Sequence, residues 1–409
     1  MSSRYVIVGA GAAGVSAALT LRDFGYDGEV VLIGAENRLP YERPAVSKDL
    51  LLAGRLPPIV PESTYADRRI DLRVGRSAAR LHAARGAVEL DDGTELPADK
   101  VLLATGGRVR RLKVPGAGLP GVYYVRSADD AEALRAELRA GARVAVIGGG
   151  LIGAEVTASA IQAGCEVEWI EAGYRCLTRV VSHPLDEAMM AIHIRRGVRI
   201  HTSASVVRVL GDERVAGVEL ADGRRIVADL AVVGIGIEPD VELARASGID
   251  LDDGIVVDGF GATSLPNVYA AGDVTHHHSR HMAAAGRLEH WRYAQAQGAA
   301  AARSMLGVGD FFDELPWFWT DQYEHHVEGC GLPRAGDKVV LRGDPAEGAA
   351  TAFYLRDGRL VAATTLNRPN DVRGAMRLIA RGLTPGPEVL RDPKLDLRRL
   401  EKEMIHATA

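Results

Sequence analysis

The sequence is poor in cysteine. Its 409 residues contain only Cys165, Cys176 and Cys330, and no two of them form a CxxC pair. This spacing predicts neither a disulfide framework nor a cysteine-ligated zinc or iron–sulfur site. We also expect the three thiols to be chemically inert.

Long apolar runs are also missing. No segment approaches the ~18 consecutive apolar residues that a membrane-spanning helix needs. The first residues already have the pattern of a buried strand, Arg4–Val8, which is followed at once by Gly9. This is not the pattern of a signal peptide. We therefore expect a cytoplasmic protein that does not associate with membranes.

The chain has no excess of positive charge and few aromatic residues. Its 49 basic and 54 acidic residues give a net charge of −5, and aromatic residues make up 5%. Without a basic excess, the composition does not predict a nucleic-acid-binding protein. Glycine is abundant, with 46 residues, which suits the tight strand-to-helix turns of an α/β protein. The length suggests two or three domains of ~150 residues each.

Two segments share one pattern: an apolar strand, a GxGxxG turn and a helix. In such a unit the first glycine makes the turn, the second lets the backbone approach a pyrophosphate, and the third lets the helix pack on the strand. The helix N-terminus supplies N–H donors and a positive dipole end. The candidate contacts are Gly9, Gly11, Ala12, Ala13 and Gly14 in the first copy, and Gly148, Gly150, Leu151, Ile152 and Gly153 in the second.

Each copy continues into a second strand with an acidic residue at its end. Glu36 follows the first and Glu171 the second, where a carboxylate can bind the hydroxyls of an adenosine ribose. Two such units predict two dinucleotides, FAD and a nicotinamide nucleotide, that exchange electrons. Glu171 should repel a 2′-phosphate and favours NADH, although Arg175 and Arg179 just downstream could accept that phosphate.

The pattern of elements predicts three domains in an α/β protein with two Rossmann-like dinucleotide-binding domains. Residues 1–115 and 240–318 form a discontinuous FAD-binding domain, and residues 116–239 form the NAD-binding domain inserted into it. From residue 319 to 409, alternating strands followed by helix predict a C-terminal α+β domain.

The chain also resembles a known family almost from end to end. It is similar to FAD- and NADH-dependent ferredoxin reductases of the putidaredoxin reductase and dioxygenase-component type. This resemblance implies a glutathione-reductase-like arrangement. It also implies hydride transfer from NADH to FAD, and then single electrons to a [2Fe–2S] ferredoxin serving a cytochrome P450 or a ring-hydroxylating dioxygenase. The matching motifs are Tyr41–Lys48, Thr105-Gly106, Tyr124–Ser127, Gly272–Val274, Arg287–Trp291 and Trp317–Gln322.

The resemblance assigns further residues to the two cofactors. Trp319 would lie near the flavin edge that faces the ferredoxin, and Asp273 would bind the ribityl chain. The other residues implied for FAD are Glu36, Arg43, Lys48, Ala78, Thr105, Gly106, Arg126, Gly272 and Trp291. Those implied for NADH are Gly148, Gly150, Ile152, Gly153, Glu171, Arg179 and Gly236.

Lys48 and Glu155 are the predicted catalytic residues. A lone lysine is commonly a solvated side chain, and an acid in the first turn of a helix can simply complement the helix dipole. The alternative, implied by the resemblance, is a Lys–Glu pair linking the flavin and nicotinamide sites. In that case Lys48 would stabilise the negative charge that develops on the flavin as it is reduced.

Histidine-rich segments depart from the family pattern. Three adjacent histidines, His276–His278, cannot all face one ion from a regular element, so with His281 they predict a polar loop and no metal site. His325 and His326 stand where an alternating strand would be more apolar, which leaves the strand at this point open.

Basic residues near the C-terminus suggest a docking surface. Residues 364–403 hold nine Arg or Lys and six Asp or Glu. A solvated helix surface is the ordinary interpretation of such a run. Together with Arg108, Arg110 and Arg111, it could instead steer an acidic ferredoxin into a transient complex.

Two other functions remain open on the same scaffold. One is a reductase acting directly on a small molecule such as a quinone or ascorbate radical. The other is an interaction flavoprotein of the apoptosis-inducing-factor type. The missing targeting run argues against the second. NADH oxidases and disulfide reductases on this scaffold require cysteines that this chain does not have at the corresponding positions.

Overall fold

The computed structural model describes residues 3–178, 181 and 183–408. Contacts divide it into two compact units. Unit 1 comprises Met1–Pro44, Leu56–Arg108 and Ile237–Pro316, and unit 2 comprises Ala45–Arg55, Val109–Gly236 and Trp317–Ala409. The three-domain boundaries predicted above differ in detail from this division and stay a prediction.

The described residues form 25 strands and 11 α-helices. The strands are β1 (Arg4–Val8), β2 (Glu29–Gly34), β3 (Ile70–Val74), β4 (Ala78–His82), β5 (Ala87–Leu90), β6 (Glu95–Pro97), β7 (Lys100–Leu103), β8 (Gly107–Val109), β9 (Val122–Tyr124), β10 (Arg143–Ile147), β11 (Glu166–Ile170), β12 (Arg199–His201), β13 (Val206–Leu210), β14 (Gly217–Leu220), β15 (Arg225–Val227), β16 (Leu230–Val233), β17 (Ile237–Pro239), β18 (Ile255–Val256), β19 (Val268–Ala270), β20 (Thr275–His276), β21 (Trp317–Gln322), β22 (His325–Gly331), β23 (Lys338–Asp344), β24 (Ala349–Arg356) and β25 (Arg359–Leu366). The helices are α1 (Ala12–Asp23), α2 (Asp49–Ala53), α3 (Ser63–Asp67), α4 (Ala128–Glu137), α5 (Leu151–Gln162), α6 (Leu185–Arg195), α7 (Glu242–Ala246), α8 (Trp291–Met305), α9 (Pro369–Ala380), α10 (Pro387–Arg391) and α11 (Leu397–Thr408).

Unit 1 is built on a parallel five-stranded sheet in the order β19-β7-β1-β2-β3. Its central strands are apolar on both faces, as expected of a sheet covered on both sides. Val6 and Val8 enter the hydrophobic cluster on one face, while Tyr5 and Ile7 enter the cluster on the other. A three-stranded antiparallel sheet, β4-β5-β6, completes the unit's larger sheets.

Unit 2 repeats this design. Its parallel sheet has the order β12-β11-β10-β16-β9, and a three-stranded antiparallel sheet, β13-β14-β15, accompanies it. Strand β10 pairs with β11 in the register in which β1 pairs with β2, so that Ile147 lies opposite Ile170 and Val8 opposite Ile33. The predicted duplication is therefore a duplication of structure.

The C-terminal part of unit 2 is an antiparallel sheet in the order β21-β22-β25-β24-β23, with α9 against β22 and β25. Val372, Ala375 and Leu378 recur every third residue on α9 and are buried, which is the spacing of one helix face. The strand left open at His325 and His326 is formed, and both residues belong to β22.

None of the helices in the described part of the chain combines the length and apolar character needed to cross a bilayer.

Candidate functional site

The first glycine turn has the geometry that a pyrophosphate-binding loop requires. Gly9 has φ of +113°, and a Cβ there would overlap the carbonyl oxygen of Ala104. A Cβ on Gly14 would overlap the carbonyl oxygen of Gly9. By contrast, a Cβ on Gly11 would meet no atom within 4 Å. The outer glycines are thus required by packing, and Gly11 leaves open space where a ligand can approach the backbone.

The second turn repeats this geometry glycine by glycine. Gly148 also has φ of +113°, and its Cβ would overlap the carbonyl oxygen of Gly234. A Cβ on Gly153 would overlap the carbonyl oxygen of Gly148, whereas one on Gly150 would meet nothing within 4 Å. The same sequence pattern has therefore produced the same backbone twice.

Both turns lead into helix N-termini that can hold phosphate. Gly11 and Gly150 are the N-cap residues of α1 and α5, and no side chain caps either helix. The first N–H groups of each helix are therefore available to an anion. The remaining predicted turn residues, Ala12 and Ala13 in α1 and Leu151 and Ile152 in α5, lie in these first turns. The residues present thus fit a dinucleotide at each turn.

The carboxylate of Glu36 is bound by side chains. It accepts hydrogen bonds from the Tyr41 hydroxyl at 2.5 Å and the Arg43 guanidinium at 2.6 Å. Both partners come from the segment that carries the Tyr41–Lys48 motif. The negative charge of Asp273, another predicted FAD residue, is among the charges that raise the pKa of Arg43. Four predicted or neighbouring FAD-site side chains are thus linked within unit 1.

The carboxylate of Glu171 is bound by backbone. It accepts from the N–H of Gly149 and the N–H of Gly173, each at 2.5 Å. Arg175, which could have accepted a 2′-phosphate, forms ion pairs with Glu187 at 2.8 Å and with Asp186 at 3.4 Å. Arg179 lies outside the described residues.

Other predicted FAD residues meet at the start of α1. Gly272 follows β19, and its N–H donates to the Gln297 side chain of α8 at 2.8 Å. A Cβ on Gly272 would contact the Ala13 side chain, so the Gly272-Asp273 turn lies beside the first turn of α1. Trp291 begins α8 and packs against the cluster containing Ala13.

The remaining predicted FAD and NADH residues lie on loops or strand ends. Ala78 begins β4, and the Thr105 hydroxyl donates to the backbone carbonyl of Asp240 at 2.7 Å. Gly106, which follows Thr105, has φ of +66°. Arg126 lies in unit 2 between β9 and α4, and Gly236 follows β16.

Lys48 and Glu155, the predicted catalytic pair, are in contact. The Lys48 Nζ lies 3.2 Å from Glu155 Oε1 and 3.7 Å from Asp321 Oδ2. It also lies 5.6 Å from the centroid of the Trp319 ring, which is stacked on Trp317 with centroids 5.3 Å apart. Lys48 is thus a largely buried cation between two carboxylates, at the edge strand β21.

A chain of hydrogen bonds leads from Tyr323 to the Glu155 carboxylate. Burial lowers the pKa of His193 to about 4, so this histidine is neutral. Its Nδ1 accepts from the Tyr323 hydroxyl at 2.9 Å, and its Nε2 donates to the Gln322 amide oxygen at 2.8 Å. The Gln322 amide donates to Thr320, whose hydroxyl donates to Glu155 at 2.7 Å. Each donor has its acceptor, so the chain fixes the Glu155 carboxylate.

Sequence reasoning missed most of this group. Ser47, Thr320 and Asp321 all bind Lys48 or Glu155, and His193 supports them from α6. The Trp317–Gln322 motif contained a usable signal for Asp321. On a strand, residues 319 and 321 share one face and residue 320 faces away, so the pattern places Asp321 beside Trp319. Nothing in the sequence pointed to His193.

Comparison with protein-family models shows that residues 3–298 match the family described as pyridine nucleotide-disulphide oxidoreductase. Residues 317–401 match the reductase C-terminal family. The chain belongs to the pyridine nucleotide-disulphide oxidoreductase family. The predicted resemblance and fold class are confirmed.

Individual relatives of this family match over nearly the whole chain. The chain is 43% identical over 399 residues to the ferredoxin–NAD(+) reductase component of the anthranilate 1,2-dioxygenase system of Burkholderia cepacia, covering 96% of this chain and 98% of the relative. It is 36% identical to rhodocoxin reductase of Rhodococcus erythropolis, covering 96% and 93%.

Solved structures agree with these sequence matches. The ferredoxin reductase for the CYP199A2 system of Rhodopseudomonas palustris superposes with a TM-score of 0.94 at 34% identity, covering 98% of this chain and 100% of that one. The covalent putidaredoxin reductase–putidaredoxin complex matches with a TM-score of 0.92 at 36% identity, covering 99% and 98%.

This member of a disulphide oxidoreductase family has no disulfide of its own. Cys165, Cys176 and Cys330 are all free and buried. Burial raises the pKa of Cys165, and it raises the pKa of both Cys176 and Cys330 to about 12. All three thiols are therefore protonated at neutral pH, which agrees with the expectation that they are inert.

The histidines near residue 277 have structural partners. His276 ends the short strand β20, so the predicted loop is in part a strand. His277 lies against Tyr293, whose hydroxyl is 2.7 Å from its Nε2, and burial lowers the pKa of His277. Within the described residues, the cluster with metal-ligand spacing is His82, Glu89 and Glu95, and Arg85 pairs with Glu95 in that cluster. The absence of a metal stays a prediction.

Proposed function

We propose that this chain oxidises NADH with a bound FAD and passes the electrons singly to a [2Fe–2S] ferredoxin that serves a cytochrome P450 or a ring-hydroxylating dioxygenase. The observation that carries this proposal is the pair of glycine turns, each with an open central glycine, in a chain whose full-length relatives are named as ferredoxin reductases. The three buried, protonated thiols do not support a thiol–disulfide relay as the route for electrons.

We assign FAD to unit 1 and the nicotinamide nucleotide to unit 2. When bound, FAD supplies the chemistry of accepting two electrons as a hydride and releasing them one at a time. Gly11 and the N-terminus of α1 hold its pyrophosphate, Glu36 its ribose, and Asp273 its ribityl chain. Gly150 and the N-terminus of α5 hold the pyrophosphate of the nicotinamide nucleotide, and Glu171 holds its ribose.

Lys48 acts as the cation that compensates the negative charge of the reduced flavin. A lysine that is 16% exposed and held by two carboxylates keeps a fixed position, and fixed charges lose no energy to reorientation during a reaction. Glu155 holds the ammonium group in place, and the Ser47 and Thr320 hydroxyls hold Glu155.

We expect NADH to be preferred over NADPH. The Glu171 carboxylate is fixed by two backbone N–H groups, so it presents its charge to the ribose end of the nucleotide. Of the two arginines named just downstream, Arg175 is described, and it is already paired with two carboxylates. We further propose that the protein works in the cytoplasm, where soluble NADH is found.

Several basic residues of the proposed ferredoxin dock form ion pairs within the chain. Glu401 pairs with Arg377 and Arg381, and Asp371 pairs with Arg368. Arg108 pairs with Asp240, and Arg111 lies over the Tyr124 ring. Pairing does not change the net charge of residues 364–403, because Asp371 and Glu401 are already among its six acidic residues. A nearby carboxylate does weaken the local positive potential of each paired arginine. We therefore expect salt to weaken ferredoxin binding moderately.

The direct test is anaerobic reduction followed by electron transfer. Purified protein should be yellow, should bleach with NADH much faster than with NADPH, and should reduce cytochrome c rapidly only when a [2Fe–2S] ferredoxin is added. Protein that stays colourless after incubation with FAD contradicts the proposal. Fast reduction of a quinone with no stimulation by any [2Fe–2S] ferredoxin supports the small-molecule reductase instead.

A matched pair of lysine variants tests the proposed role of Lys48. Lys48→Met should retain FAD and slow the reduction of the flavin by NADH by about ten- to a hundredfold. Lys338→Met, on the opposite edge strand of the same sheet, should leave the rate unchanged. Equal rates in the two variants would remove Lys48 from the reaction.

A further inference from the structure

His326 lies on the same face of the sheet as two of the groups that contact Lys48. Strands β21 and β22 form a hairpin in which Asp321 lies directly opposite His326, and Trp319 directly opposite Glu328. Directly opposed residues of an antiparallel pair project from the same face of the sheet. Lys48 contacts two members of this face, Asp321 and the Trp319 ring.

The histidine ring bridges two carboxylates. Its Nδ1 lies 2.5 Å from Asp321 Oδ1, and its Nε2 lies 3.0 Å from Glu328 Oε1. A neutral imidazole can donate from only one nitrogen, whereas an imidazolium donates from both. Two carboxylate acceptors on opposite sides of the ring therefore select the protonated form.

The burial of Glu328 strengthens this conclusion. Its side chain is 6% exposed, and its second carboxylate oxygen is buried with no hydrogen-bond partner among the described residues. A buried carboxylate is costly unless a cation compensates it. His326 is the ion-pair partner that the structure gives it.

The charged groups around His326 form one connected set. Asp321 comes from β21, Glu328 from β22 itself, Lys48 from the residue before α2, and Glu155 from α5. Strand β25 places the uncharged Thr365 opposite Glu328. On α9, Asp371 is already engaged by Arg342 and Arg368.

We propose that His326 is a positioning residue that, when protonated, holds the Asp321 carboxylate in a fixed place beside Lys48 and thereby sets how much of the Lys48 charge remains to stabilise the reduced flavin. The effect on the flavin rests on the proposed function, whereas the contacts of His326 with Asp321 and Glu328 do not. With the imidazolium present, Asp321 is shared between two cations, Lys48 and His326. When His326 loses its proton, Asp321 is left with Lys48 as its cation, and the Lys48 charge is more fully compensated.

The expected pH dependence follows from the sign of the shift. Burial by itself lowers the pKa of His326, but the hydrogen bonds to Asp321 and Glu328 outweigh it and raise the pKa above 6.5. The protonated network is therefore complete below pH 6.5 and is lost as the pH rises through the raised pKa. Reduction of the flavin should slow over that range.

The neighbouring histidine supplies a matched control. His325 lies on the same strand, but opposite Gln322, so its side chain belongs to the other face of the sheet. It contacts Glu324 and Asn367, and burial lowers its pKa. Replacement of His325 by glutamine therefore makes the same chemical change one residue away, without touching Asp321 or Glu328.

The experiment measures the rate of flavin reduction by NADH from pH 6 to pH 9 in the wild-type holoenzyme and in His326→Gln and His325→Gln. We expect a fall of about three- to tenfold with rising pH in the wild type and in His325→Gln, and a flat profile in His326→Gln. Superimposable profiles for the wild type and His326→Gln would overturn the proposal, as would loss of the step in His325→Gln.

A second measurement does not depend on catalysis. NMR titration of the wild-type imidazole resonances should give His326 a pKa above 6.5, and Asp321→Asn should lower it. A His326 pKa at or below 6.5, or one unmoved by Asp321→Asn, overturns the bridge. If the protein is not reduced by NADH at all, the proposed function fails, while this titration still decides whether the bridge exists.

Discussion

The two glycine turns are alike in backbone and different in what surrounds them. In both, the first glycine has φ of +113°, the middle one faces open space and the last packs against a carbonyl oxygen. The acidic residues differ, since side chains hold Glu36 and backbone N–H groups hold Glu171. The motif thus fixes the backbone of each turn, whereas the neighbouring segments decide which groups bind its acidic residue.

The strands behind the turns differ as well. Leu32 in β2 and Trp169 in β11 occupy equivalent positions, opposite Ile7 and Val146. The Trp169 indole donates to the carbonyl of Gly148 at 3.0 Å and lies against the ring of His193. The second turn is therefore hydrogen-bonded by a buried indole, and the equivalent position behind the first turn holds an aliphatic side chain.

The largest expected effect comes from the last glycine of each turn. Gly14→Ala should yield protein that loses its flavin, whereas Gly153→Ala should keep the flavin and raise the KM for NADH by at least about tenfold, because overpacking against backbone costs roughly 1–3 kcal/mol. The flavin absorbance ratio and steady-state kinetics separate the two. Gly118→Ala, where a Cβ meets no atom within 4 Å, is the control. Loss of flavin in both turn variants would mean that the turns do not serve separate cofactors.

The second prediction concerns acid stability. His193 has a folded pKa of about 4, below its ordinary 6.5, so the unfolded chain binds its proton first. Stability should fall by about 3 kcal/mol as the pH drops from 6.5 to 4, and it should be intact above pH 6.5. Urea unfolding at several pH values measures this loss. His193→Gln should remove that part of the pH dependence, and an unchanged dependence would contradict the assignment.

A smaller effect is expected for coenzyme choice. Glu171→Gln removes the charge that opposes a 2′-phosphate, so the ratio of kcat/KM for NADH to that for NADPH should fall roughly tenfold. The flavin content should not change, because Glu171 belongs to the second turn. Glu166→Gln, at the other end of β11, controls for loss of charge alone. A ratio that stays constant would show that another residue sets the preference.

The smallest effect is expected at Glu36. Its ion pair with Arg43 is partly exposed, with side chains 35% and 26% exposed, so its contribution is limited to about 1 kcal/mol by solvent screening. Glu36→Gln should weaken FAD binding to the apoprotein by roughly fivefold, measured by fluorescence titration. The KM for NADH should not change. A larger change in the KM than in FAD affinity would reverse the roles of the two carboxylates.

The parts of the molecule that were predictable are those set by local sequence. The two turns follow from glycines at fixed spacing, because each position has a separate steric reason for lacking a side chain. The contact of Lys48 with Glu155 was predicted from the family resemblance. Local sequence could not have predicted it, because 107 residues separate the two in the chain. The roles of the predicted site residues stay predictions.

The remaining contacts depend on register and on segments distant in sequence. The pairing of Asp321 with His326 requires the turn at Tyr323, which has φ of +58°, and the sequence patterns gave no warning of it. The two adjacent histidines suggested a weakened strand. A polar residue suits position 326, however, because the Asp321 and Glu328 carboxylates lie against it. The partners of Glu171 are backbone groups, which carry no sequence signal at all.

The segment Ala45–Arg55 groups with unit 2, although the residues on both sides of it belong to unit 1. A chimera that exchanges unit 2 of this reductase with that of a relative must therefore carry these eleven residues along with residues 109–236 and 317–409. A graft that leaves Ala45–Arg55 with unit 1 would separate Lys48 from Glu155. Each would then face a residue from the other protein.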